Sequence, residues 1–180
     1  MKRKRAWLSL GILVLAVTAA SFAFSFFRTE RETLPPDSKF EFQFGRGSGW
    51  HGLDLLRITS NGQAEYEFQT TAGEWRRKTF LVPEKQIVDL REAINDLGIL
   101  DLRKSYHGDV ADGTQWCLLI KEEGKARSFY FDNSFPAPIQ KLADFVDRTI
   151  LEPFADPIEG KLVPARHHRE HEKEIWASVR

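Results

Sequence analysis

Hydrophobic positions run together from Ala6 to Phe27, recur at strand or helix spacing from Lys39 to Pro153, and thin out towards Arg180. The first run is 22 residues long and uncharged, which is the length a helix needs to cross the hydrocarbon core of a bilayer. It follows Lys2, Arg3, Lys4 and Arg5, so the basic stub 1–5 is expected to stay in the cytoplasm and the chain beyond residue 27 to lie outside it. A cleaved signal peptide begins in the same way, and Val17-Thr18-Ala19 would serve as its cleavage site, leaving a secreted or periplasmic domain. The uncleaved anchor over 6–27 is favoured, because it keeps Phe22, Phe24, Phe26 and Phe27 in lipid or at its interface. Residues 28–38 are polar, contain Pro35-Pro36 and read as a linker.

Within 39–153 the periods change several times. Phe40, Phe42 and Phe44 alternate with Glu41 and Gln43, which predicts a strand with one buried face. The runs 53–59 and 64–69 flank Asn61-Gly62, a hairpin signal, and 75–81 continues the meander after Gly73, with Arg76 and Lys78 expected on its wet face. Pro83 and Glu84 suit a helix start, Ile87, Leu90, Ile94 and Leu97 form its apolar stripe, and Gly98 ends it. Leu100 to Arg103 is expected as a short edge strand. Residues 114–121 and 125–132 predict a second hairpin, whose first strand is apolar on both sides and so internal to the sheet. Pro136 and Pro138 open a second helix with the stripe Ile139, Leu142, Ala143, Val146 and Ile150. The expected architecture is α+β: an antiparallel sheet of about six strands in two meander blocks, with two amphipathic helices packed on one face. Residues 154–180 read as a polar C-terminal tail, in which Ile175 and Trp176 are the exception that could dock somewhere.

Charge changes the picture little. The 180-residue chain is formally neutral, and residues 1–38 hold six Lys+Arg against three Asp+Glu, leaving 20 against 23 for the rest. That balance offers no electrostatic footprint for nucleic acid. Cys117 is the single cysteine, which excludes an internal disulfide, a cysteine zinc cage and a two-cysteine redox motif, and its apolar strand context predicts a packed, inert thiol.

Candidate chemistry is sparse. Gly47, Gly49 and Gly52 have the spacing of a dinucleotide fingerprint, but a strand follows them where the fingerprint requires a helix N-terminus, so they read as a strand connection. Tyr106, His107, Asp109 and Asp112 share the longest internal loop and could in principle bind a divalent cation or move a proton, although Asp112-Gly113 is also ordinary turn chemistry and the spacing is not that of an EF-hand. His167 and His171 are four apart, without the His-Glu-x-x-His order of zinc proteases. No Gly-x-Ser-x-Gly elbow is present. The leading expectation is a membrane-tethered extracytoplasmic domain that acts by binding another envelope protein or a peptide, without a cofactor. Its surface would be formed by Trp50, His51, Trp75, Tyr106, His107, Asp109 and Asp112, because tryptophan and tyrosine favour interfaces. The alternatives are a small metal-assisted hydrolase built from His51, His107, Asp109 and Asp112, and a structural envelope protein.

The run Gly98-Ile-Leu-Asp-Leu102, then Tyr106, Asp112-Gly-Thr-Gln-Trp116 and Phe131-Asp-Asn-Ser-Phe-Pro136, resembles a group of small bacterial exported domains of unknown function. The resemblance covers residues 40 to 150 and rests on turn and core positions. It implies a fold and a bacterial inner-membrane setting, and it carries over no site.

Overall fold

The computed structural model describes residues 39–48, 51–110, 113–154 and 162–179. The anchor and linker expected over 6–38 lie outside them, as do Trp50 and Asp112; among the described residues no helix is long and apolar enough to cross a membrane.

Strands β1 (Phe40–Ser48), β2 (Gly52–Ile58), β3 (Gln63–Gln69) and β4 (Trp75–Leu81) form the meander that the period-two runs predict. At the β1–β2 connection the backbones close so tightly that a β-carbon on Gly47 would stand 2.1 Å from the carbonyl oxygen of Gly52. Gly47 therefore serves a close approach within a hairpin, and the dinucleotide reading has no structural basis there. Helix α1 (Glu84–Asp96) starts after Pro83, buries Ile87, Leu90 and Ile94, and ends at Gly98, which turns the chain with a φ of 64°. The expected edge strand at Leu100 is instead a 3₁₀ turn, Ile99–Asp101. Ile99 and Leu100 are consecutive and both buried, whereas an extended chain would have pointed one of them outwards.

The edge position falls to β5 (Ser105–His107), followed by the hairpin of β6 (Gln115–Glu122) and β7 (Lys125–Asp132), turned by Glu123 and Gly124, both at positive φ. Helix α2 (Ala137–Phe145) widens into a π-helical turn, Val146–Leu151, and closes with a 3₁₀ turn, Glu152–Phe154. The two-residue strand β8 (Val163–Pro164) and helix α3 (His168–Val179) complete the fold.

The eight strands lie in one sheet in the order β5-β7-β6-β1-β2-β3-β4-β8. Pairing of β1 with β6 joins the two expected blocks. The sheet is mixed rather than antiparallel, because β5 runs parallel to β7. The fold class is thus α+β as expected, and the described residues form eight strands instead of about six and three α-helices instead of two.

The first face carries Phe40, Phe42, Phe44, Leu56, Ile58, Leu118, Ile120, Phe129 and Phe131, and α1 and α2 pack on it to form the main core. Burying each such side chain contributes about 1.5–3 kcal/mol. Arg91 of α1 and Glu122 of β6 form an ion pair at 2.8 Å at its margin, with the guanidinium lying over the Phe40 ring. The second face is covered by α3, whose Ile175 packs into a smaller cluster with Leu53, Leu55 and Cys117, flanked by Tyr130 and Trp176. The segment expected as a polar tail is thus a structural element of the domain.

Candidate ligand site

Tyr66 and Phe68 of β3 share the first face with Lys78 and Phe80 of β4, since Tyr66 pairs with Lys78 and the strand period is two. The end of the α2 segment lies over them, with Phe154 stacked on Phe80 at 4.5 Å between ring centroids. Between the two layers is a cavity of about 370 Å³, walled by Phe68, Phe80, Leu151, Phe154 and Leu162 and carrying the polar groups of Tyr66, Lys78, Asp147 and Glu152. That volume is within the range of small-molecule sites, and an apolar enclosure with a few converging polar groups is their usual composition. The cavity abuts the π-helical turn, a rare conformation that recurs at functional sites.

Lys78 is 6% exposed, so its ammonium lies in the wall and not in solvent. Its expected place on a wet face is corrected by parity, because residues 76, 78 and 80 point the same way and Phe80 packs against the core. Behind Tyr66 is a charged relay. Arg46 donates to both carboxylate oxygens of Asp147, at 2.8 Å for Nη1, and lies opposite Asp54 in the β1–β2 register. Asp54 accepts the Gln69 backbone N–H at 3.1 Å and a hydrogen bond from the Tyr66 hydroxyl. Burial pushes the Asp54 carboxyl up, against the lowering effect of the Gln69 N–H and of Arg46. Burial, then the negative charge of Asp54, pushes Tyr66 up to about 12. Tyr66 is therefore a protonated hydrogen-bonding group at neutral pH and not a base. The arrangement is equipped to hold a molecule with an apolar body against a few polar groups.

A second polar cluster lies under α3. Glu67 of β3 is 1% exposed and receives hydrogen bonds from Nδ1 of His168 at 3.0 Å and Nδ1 of His171 at 2.9 Å. The pair facing inwards is thus His168 and His171, whereas His167 is exposed. Among the described residues no group of three or more His, Cys, Asp and Glu side chains could hold a metal ion.

The residues singled out from the sequence do not gather in one place. Trp75 lies under α3, its indole stacked on His168 at 3.5 Å and pressed against Gly52. His51 is exposed in the β1–β2 connection, its N–H donating to Ser48 Oγ at 3.2 Å. Tyr106 stacks on Phe131 at 5.5 Å, and its hydroxyl accepts the Arg103 N–H at 3.1 Å. His107 and Asp109 are exposed nearby, with His107 Nδ1 at 3.9 Å from Asp132. Trp75 on β4 and Tyr106 on β5 are separated by five intervening strands, about 29 Å at the usual strand spacing, so they do not share a surface. The cleft residues went unflagged because they are ordinary alternating positions of two strands, brought together with a turn far along the chain. The available signal was Lys78 sharing the parity of Phe80.

No protein-family model matches this chain, and no curated protein matches it. The site defines the class: a small α+β domain with a half-open, largely apolar cleft that bears a lysine. The resemblance to exported bacterial domains stands on turn and core positions alone.

Proposed function

We propose that this chain is a membrane-tethered, extracytoplasmic binding domain whose cleft between β3–β4 and the π-helical turn takes up a small molecule with an apolar body and an anionic head. The observation that carries this reading is the buried Lys78 in a wall made mostly of aromatic and aliphatic side chains. Lys78 is buried in the cleft wall, so an anionic head entering the cleft would meet its ammonium. The apolar walls supply affinity and the cation supplies orientation.

The test is calorimetric titration of 8-anilinonaphthalene-1-sulfonate, an aromatic sulfonate, into the full-length chain. One saturable site per chain is expected. Lys78→Met, which keeps the stem and removes the charge, should weaken it about tenfold, equivalent to about 1.4 kcal/mol, and Leu151→Trp should fill the cavity and abolish it. Absence of a saturable site in the folded chain, or equal affinity in Lys78→Met, would refute the assignment.

The placement outside the cytoplasm is supported by the four cations before 22 uncharged residues. Protease added to intact spheroplasts should digest the domain while sparing a cytoplasmic control. Protection equal to that control would reverse the topology.

A further inference from the structure

The second face of the sheet holds a buried charge cluster that the cleft does not use. Glu67 is the sole described side chain to which both His168 and His171 donate through Nδ1, so one carboxylate ties two successive turns of α3 to β3. His168 is 2% exposed and lies flat on the Trp75 indole, and its Nε2 has no hydrogen-bond partner among the described residues, with Glu172 Oε2 at 3.8 Å. His171 Nε2 faces Arg57 of β2 at 3.3 Å. Arg57 in turn pairs with Glu65 of β3, which also meets Arg77 of β4 at 3.5 Å.

We propose that α3 is an acid-released cover of the second face, held down through the carboxylate of Glu67.

The charges that face this carboxylate decide the sign. Near neutrality Glu65, Glu67 and Glu172 are anionic and Arg57 and Arg77 cationic, with Asp54 on the neighbouring β2 adding to the negative side. On α3 itself, His167 and Glu170 lie on the exposed side, at 3.9 Å from each other. When the Glu67 carboxyl takes up a proton, both Nδ1 atoms lose the anion that holds them, and the Arg57 guanidinium, 3.3 Å from His171 Nε2, no longer faces a negative charge at the centre of the cluster. A buried polar cluster that loses its central charge loses much of the attraction that holds its elements together. Burial pushes Glu67 up, but the hydrogen bonds from His168 and His171 outweigh it and hold the carboxyl below its ordinary value of 4.5. A depressed carboxylate stabilises the fold fully above the unfolded value, and that contribution is lost as pH falls through the folded value. The tie is therefore intact at neutral pH and undone only in acid below the ordinary carboxyl value of 4.5.

Cys117 is the probe, because it is the single cysteine of the chain, fully buried, and packed in the cluster that Ile175 closes. Its reaction with 4,4′-dithiodipyridine, which remains reactive in acid, is followed in the full-length chain and divided by the rate in the urea-unfolded chain at the same pH. Protection should fall by up to about tenfold per pH unit as pH drops below the ordinary carboxyl value of 4.5, and level off below the folded value of Glu67, while the far-ultraviolet circular dichroism of the sheet persists. Glu67→Gln should show low protection already at pH 7 and a flat profile. Hydrogen exchange in the unsubstituted chain gives the same reading without a variant: residues 168–179 should lose protection in acid before residues 84–96. Protection of Cys117 down to the pH of global unfolding, simultaneous exchange of both helices, or a wild-type profile in Glu67→Gln would overturn the proposal.

Discussion

Tyr66 takes its chemistry from its position in the sheet. It lies opposite Leu56 and Lys78, so its ring is set among first-face neighbours while its hydroxyl meets Asp54. Burial and the nearby carboxylate both disfavour phenolate, and the folded chain keeps to about pH 12 a proton that its unfolded form loses at the model-compound value of 10.0. In that window the native state binds more protons than the unfolded state, so stability falls as pH rises above 10 and levels off above 12. The chain has three tyrosines, and their phenolate absorbance should show one late step near pH 12 that Tyr66→Phe removes. A single transition of all three near pH 10 would mean that Tyr66 is neither buried nor bound to Asp54. Residue-level chemistry of this kind escapes a reading of the sequence, because Asp54 and Tyr66 have ordinary neighbours and acquire their properties from pairing across strands. Gly47 was closer to legible: its neighbourhood suggested a strand connection, and the close approach to Gly52 gives the reason.

Elements were readable where one period governs a whole segment. Strands β1 to β4, the β6–β7 hairpin and helices α1 and α2 all follow local patterns, and Gly98 and Gly124 stand where positive φ is needed. Helix α3 was harder, because its inward stripe is His168, His171, Ile175 and Val179, in which two polar residues occupy places normally held by aliphatic ones. Ile175 and Trp176 were the visible sign that it docks, and Glu67, the partner that makes buried histidines tolerable, is on another element. The second face shows the same dependence from the sheet side: Leu53, Leu55 and Cys117 alternate with first-face residues, which required a cover that strand patterns alone could not name. The β1–β6 and β5–β7 pairings are long-range and leave no local trace, so sheet order and the parallel edge emerged only in three dimensions. The cleft belongs to this category too, being the meeting of β3 and β4 with the turn that follows α2.

At the scale of the whole domain, one segment connects the two faces. Leu162 lines the cleft on the first face; Val163 and Pro164 pair with Arg77 and Arg76; the Ala165 N–H donates to the Trp75 carbonyl at 3.1 Å; and His168 stacks on the Trp75 ring before Ile175 enters the second face. Trp75 thus holds this strap through its backbone and its ring together. Loosening α3 removes the ring contact, leaves β8 attached by its short ladder alone, and slackens the wall that Leu162 forms. The cleft and the α3 tie are therefore expected to be coupled, and coupling between two equilibria is reciprocal. His168→Ala should raise the reactivity of Cys117 and, through Leu162, weaken binding of the aromatic sulfonate by about five- to tenfold, a coupling of about 1 kcal/mol. Saturating sulfonate should in turn raise Cys117 protection in the unsubstituted chain by a similar factor, and this increase should vanish in Lys78→Met, measured at the same sulfonate concentration. If His168→Ala exposes Cys117 but leaves the sulfonate affinity unchanged, the β4–β8 ladder alone fixes Leu162, and the two faces of the sheet act independently.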